Sequence, residues 1–159
     1  MKRTILLLTA ALLLTGCITT PTTPPSYKST KTSLELQAIQ TKELEVPKKI
    51  VFASTMFVLQ DLGYSIISSD LDTGYISAKS PTQSSFSYPR VTLTDTKVTA
   101  FIEQLRPGIT QVRLSFVNSE EWQMGLARMV QENPIDDAII YNNAFIKIRE
   151  AIFIRSAVN

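Results

Sequence analysis

Between residues 109 and 118 the chain alternates without a break. Thr110, Val112, Leu114 and Phe116 lie on one parity, and Gln111, Arg113, Ser115 and Val117 on the other. Successive side chains of a strand point to opposite faces, so this stretch calls for a sheet with one face on a core and one more solvated. Its neighbours follow the same rule. Residues 90–105 form a long alternating run with Val98, Ala100 and Ile102 on one face, and Arg106-Pro107-Gly108 supplies a turn between the two runs. Upstream, 64–69 and 75–80 read as a hairpin around Asp70-Leu71-Asp72-Thr73-Gly74, a turn in which glycine provides a positive φ. Residues 36–46 alternate weakly and read as an edge strand, 80–89 reads as a polar loop with two prolines, and 120–132 fits strand or helix equally.

Two helical patterns accompany these strands. Pro47 suits a first helical turn, where its missing N–H is not needed. Over 47–62, Phe52, Thr55, Met56, Leu59 and Leu62 recur at helical spacing with Val51 and Val58 beside them, and Gly63 marks the stop. Pro134 opens a second helix over 134–155, with an apolar stripe of Ala138, Tyr141, Phe145, Ile148 and Ile152. Asp136 and Asp137 fall in its first turn, where the helix dipole favours negative charge. Consecutive strands on short turns make an antiparallel sheet, and two amphipathic helices have one of its faces to cover. The expectation is an α+β two-layer sandwich, with a mostly antiparallel sheet of about four to six strands under two helices.

Composition narrows the chemistry. The chain has 159 residues, 44% of them hydrophobic and 19% charged, which fits one domain with a packed core. The formal charge is +2, and apart from Lys2 and Arg3 the basic and acidic residues balance at 14 each, so nucleic acid is not an expected partner. The absence of His removes the commonest general base and metal ligand. The single Cys closes off intrachain disulfides and cysteine metal clusters. The five glycines are scattered along the chain, so there is neither a phosphate-binding loop nor a Gly-x-Ser-x-Gly elbow. The carboxylate pairs Asp70 with Asp72, Glu120 with Glu121 and Asp136 with Asp137 read as a turn, a loop and a helix start. Asp70-x-Asp72-x-Gly74 is a fragment of a calcium loop without its remaining ligands. The sequence therefore points away from an enzyme, with no cofactor and no metal expected.

The N-terminus carries an address. Lys2 and Arg3 precede an apolar run over residues 5–14, too short for a bilayer span of about 20 residues and of the length of a signal-peptide core. Next comes Leu14-Thr15-Gly16-Cys17. This run resembles the bacterial lipobox. The resemblance implies diacylglycerol on the Cys17 thiol, cleavage before Cys17 and acylation of the new amine. Two or more acyl chains anchor stably where one does not. Position 18 is Ile rather than Asp, which under enteric-type sorting implies the outer membrane. Residues 18–33 hold 12 Thr, Pro or Ser among 16, a composition that neither buries nor folds into a helix. Extended Pro-rich chain rises about 3.1 Å per residue, so such a tether reaches roughly 50 Å. The expected organisation is a signal peptide over 1–16, lipidated Cys17 and tether over 17–33, and a periplasmic domain over 34–159.

The run Val58-Leu59-Gln60-Asp61-Leu62-Gly63-Tyr64, followed by Asp70, Gly74, Ile76 and Ala78, resembles a family of uncharacterised bacterial lipoproteins, as does the closing segment over 141–153. The same helix-then-hairpin module is similar to the helix-grip domains of a lipoprotein component of the outer-membrane β-barrel assembly machine. That resemblance spans roughly 37–80 and 134–154. It implies a helix-grip-like fold and a place among envelope lipoproteins, and no activity. Asp61 and Gly63 read as helix-end chemistry. Trp122 and Met124, near Met129, and Arg113 on the sheet are the candidate contacts for an envelope protein partner; the alternative for Trp122 and Met124 is to fill the end of the core. A second functional reading is a module holding a lipid or other apolar ligand in a cavity lined by Phe57, Ile66, Phe116 and Phe145. For the anchor, Cys17→Ala is expected to abolish acyl labelling and processing in cells fed labelled palmitate; normal processing of that variant would refute the lipobox.

Overall fold

The computed structural model describes residues 31–158. Cys17, the signal peptide and all of the tether up to residue 30 lie outside the described residues. The first element among the described residues is a helix, α1 (Ser33–Gln40), where weak alternation suggested strand. A capping box decides it: Glu35 N–H donates to the Thr32 hydroxyl, and the Glu35 carboxylate accepts from Thr32 N–H at 2.8 Å. Only β1 (Thr41–Leu44) of the expected 36–46 strand is extended. Helix α2 (Lys48–Asp61) follows Pro47. It ends in a pair of hydrogen bonds, Gly63 N–H to Gln60 O and Tyr64 N–H to Leu59 O, which close over Gly63 at φ +87°.

Strands β2 (Ser65–Asp70) and β3 (Tyr75–Lys79) form the expected hairpin. The supposed loop over 80–89 contains β4 (Gln83–Ser87), which pairs antiparallel with β5 (Arg90–Arg106) across the cis Tyr88-Pro89 bond. β6 runs from Ile109 to Met124, well past the clear alternation, and the ambiguous segment resolves into its end and β7 (Ala127–Pro134). Pro134 thus closes a strand instead of opening a helix. α3 (Ala138–Val158) begins four residues later, and the Asp137 carboxylate accepts from Ile139 N–H at 2.8 Å at its start. Ala138 is exposed and does not belong to the buried stripe.

The molecule is an α+β sandwich with a seven-stranded antiparallel sheet in the order β1-β6-β5-β3-β2, extended by β4 on β5 and β7 on β6. Among the described residues, seven strands and three helices exceed the expected count because β4, β7 and α1 add to it. Val51, Phe52, Val58 and Leu59 of α2 and Tyr141, Phe145, Ile148 and Ile152 of α3 form one core with the sheet. From the sheet come Ile76 and Ala78, Val98 to Ile102 on alternate positions, and Val112, Leu114 and Phe116. The parity read from the sequence therefore holds where the helices cover it. Phe116 stands edge-on to Tyr141 at 5.2 Å between ring centroids.

The β2–β3 turn is locked onto β5. The Asp70 carboxylate accepts from Asp72 N–H at 3.0 Å and from the Thr73 hydroxyl at 2.8 Å, and Lys48 Nζ donates to Asp72 O. Those bonds, the Thr73 hydroxyl first, hold the Asp70 carboxyl below its ordinary range. The calcium-loop fragment is thus a self-contained turn. At Gly74 the carbonyl accepts from Ile102 N–H at 2.9 Å, and a Cβ there would stand 1.9 Å from Ile102 O. Gly74→Ala must therefore break this ladder bond as well as hold a positive φ. It is expected to cost at least about 2–3 kcal/mol, measured by urea unfolding. Gly108→Ala, with open space around its Cβ, is expected to cost only the φ strain of about 1–2 kcal/mol.

Candidate functional site

β5 and β6 outrun the helices. Beyond Val98 and Phe116 their paired positions on the helix side become Thr96 with Asn118, Thr94 with Glu120 and Thr92 with Trp122. Threonines, a carboxylate and an amide do not build a core, and none of these residues is buried. Every residue of β4 is exposed, and β7 is exposed except at Gln131 and Asn133. The result is a four-stranded wing, β4-β5-β6-β7, in which Ser119 is the one buried residue.

Register assigns the two faces of the wing. On the helix side, Ser85, Thr92, Trp122 and Met129 form one row, and Gln83, Thr94, Glu120 and Gln131 the next. On the far side, Phe86, Val91, Gln123 and Arg128 form one row, and Ser84, Leu93, Glu121 and Val130 another. The far side also carries ion pairs: Arg128 with Glu121 at 2.6 Å, Lys79 with Asp95 at 3.0 Å, and Lys97 with Glu132. The Arg128 guanidinium, then Gln123, hold the Glu121 carboxyl below its ordinary value, and Glu132 pushes the Lys97 ammonium up. Lys97 and Glu132 are both open to solvent, which screens their pair, whereas the Asp95 and Glu121 carboxylates are largely covered, with 12% and 17% of their side chains exposed.

The three predicted contact residues do not form one site. Trp122 is half-buried and Met124 exposed on the helix side of the wing. Arg113 has the opposite parity and lies in the helix-covered half, paired in register with Thr41 and Phe101. Its Nη2 donates to Gln40 Oε1 at 3.3 Å. Gln40 is buried and its Nε2 donates to the Tyr141 hydroxyl at 3.3 Å. That hydroxyl also accepts from Phe116 N–H at 3.3 Å and donates to Ile135 O at 2.8 Å, so its hydrogen-bonding capacity is filled. Arg113 thus belongs to a structural network.

The proposed ligand cavity also changes. Phe57 is 55% exposed and cannot line a space between helix and sheet, while Phe116 and Phe145 are packed in the core. The carboxylate pairs do not converge either: Glu120 and Glu121 point to opposite faces, and Asp137 caps α3. Among the described residues, no group of three or more His, Cys, Asp or Glu is placed to hold a metal ion, and no helix is long and apolar enough to cross a membrane.

The wing also ends in an apolar tip that periodicity did not flag. The β4–β5 and β6–β7 turns lie side by side at that end, at Tyr88-Pro89 and Gly125-Leu126. Leu126 is fully exposed, Tyr88 87% and Phe86 71%, with Met124 beside them. The available signal was compositional, an aromatic or aliphatic residue beside each turn-forming Pro or Gly.

No family model matches the chain, and no curated protein matches it. Among solved structures, the chain is similar to the crystal structure of a DUF4468 family protein from Bacteroides ovatus ATCC 8483. The identity is 12%, the TM-score 0.39, and the match covers 70% of this chain and 84% of that one.

Tyr141→Phe keeps the ring and strips its hydroxyl from Gln40, Phe116 and Ile135. Buried polar groups left without partners cost about 1–3 kcal/mol each, so a loss of about 2–4 kcal/mol is expected in urea unfolding. A loss below about 0.5 kcal/mol would show that the network contributes little.

Proposed function

We propose that the protein is an outer-membrane lipoprotein, held by acyl chains on Cys17, whose domain faces the periplasm as a non-enzymatic adaptor or accessory component of an envelope assembly, secretion or transfer complex. The observation that supports this reading is the wing. A single sheet layer with both faces uncovered buries no core of its own, and this one displays Leu93, Trp122, Met129 and Val130 on its two faces. Its far-side ions are already paired with one another, so a partner meets few unmatched charges there. The open β7 edge adds backbone groups that a partner strand can pair with. The mechanism is confinement: lipid tethering raises the effective concentration of the wing near membrane-bound partners.

The alternative, a module carrying a lipid or apolar ligand, has less support because Phe57 faces outward and the remaining aromatics pack together. Detergent extraction of the lipidated protein followed by affinity capture separates the two. A stoichiometric envelope protein, lost in Val130→Asp and retained in Phe57→Asp, is the expected result. Recovery of the protein alone with bound lipid would favour the carrier. Turnover of a substrate abolished by one carboxylate substitution would overturn both.

A further inference from the structure

We propose that the wing tip is a lipid-contacting foot: Tyr88 and Leu126, with Phe86 and Met124 behind them, enter the headgroup region of the bilayer to which the chain is tethered. This rests on the lipid-anchor reading above. The exposed apolar side chains sit on the crests of two adjacent turns and not in a groove. A protein partner needs a matching pocket for each crest; a bilayer interface accepts protruding side chains without one. Tyrosine suits this boundary because its ring is apolar and its hydroxyl stays wet.

Charge points the same way. Over residues 82–94 and 122–131 the only charged side chains are Arg90 and Arg128, and no Asp or Glu occurs in either stretch. Arg128 is matched by Glu121 one row back, so the tip carries the net positive charge of Arg90. An acidic tip would be repelled by anionic phospholipid; this one is attracted. Reach is sufficient. The eight residues of β5 from Arg90 to Lys97 project the tip about 26 Å beyond the covered half, at about 3.3 Å per residue. Counted to the Thr32 cap of α1, 14 residues follow Cys17, and a chain of that length reaches at most roughly 43 Å at about 3.1 Å per residue. The foot can therefore touch the membrane that holds Cys17, and the wing would then stand upright with its faces and its β7 edge open to the periplasm.

The test uses the full lipidated protein, reconstituted in protein-free vesicles of phosphatidylethanolamine and phosphatidylglycerol. Cys17 is the single cysteine, and its acylated sulfur does not react with maleimides, so Leu126→Cys accepts an environment-sensitive fluorophore at the tip alone. Phe57→Cys, on the outer side of α2, serves as the control position. In vesicles the probe at 126 is expected to shift to the blue and lose iodide quenching, while the probe at 57 stays water-like. Adding Tyr88→Asp is expected to cancel the shift at 126 with the protein still floating with the vesicles. Flotation with a water-like probe at 126 would overturn the foot and leave the anchor standing. A blue shift that arises only after envelope proteins are added would also overturn it, by assigning the tip to a protein. Failure to float at all, with an unmodified Cys17 by mass, would remove the anchor itself.

Discussion

The antiparallel ladder between β5 and β6, from Val91 opposite Gln123 to Arg106 opposite Ile109, sets the plan of the whole molecule. A strand advances about 3.3 Å per residue and a helix only about 1.5 Å. The 17 residues of β5 therefore span about 56 Å, whereas the 14 residues of α2 span about 21 Å and the 21 of α3 about 32 Å. No helix in the described chain is long enough to roof such a ladder. One half is covered and carries the core; the other half must either stay bare or be roofed by something outside the domain. The residues follow this division: Val98, Ala100 and Ile102 under the helices give way to Thr96, Thr94 and Thr92 beyond them.

That division also governs how much could be read from the sequence. Where helices cover the sheet, burial imposes an apolar parity, and the strands, the helix α2 and the α+β layering were all visible. Where nothing covers it, no parity is imposed. β4, with three serines, reads as loop because all its side chains are solvated on both faces. β7 mixes Met129 and Val130 on opposite faces and so shows neither strand nor helix periodicity. The end of β7 posed a different problem. A proline ahead of an apolar helical period fits the first turn of a helix and the last residue of a strand equally, and only the Asp137 cap fixes the start of α3. At α1 the capping signal Thr32-x-x-Glu35 was present, but the faint alternation after it pointed to strand.

The candidate site was legible in part. Trp122 and Met124 stood out by type, and both lie on the wing. Arg113 stood out only as a cation on a strand. Its partner Gln40 is 73 residues away, and the Gln40–Tyr141 bond spans 101 residues, separations that leave no local pattern. The Tyr141 hydroxyl was hidden for the same reason, since the ring alone satisfies the apolar stripe of α3.

That hydroxyl explains how a bare wing can be attached firmly to a covered core. β6 changes neighbours on one edge: β1 ends its pairing at Arg113, and β7 begins at Val117. Between them the backbone of Phe116 faces a seam, where an unpaired N–H and C=O in the interior would be costly. Tyr141 takes the N–H, and Ile135 N–H supplies the carbonyl at 2.9 Å. Through Ile135 O and Gln40 the same hydroxyl also joins the β7–α3 link to the end of α1. The root of the wing is therefore fixed by buried bonds from both helical ends, while its outer strands are held mainly by ladder bonds, with ion pairs and side-chain hydrogen bonds on their surfaces. A root fixed in this way with solvated strands beyond it would suit the docking role proposed above, because the position of the surface is set in advance and covering it would disturb little of the core.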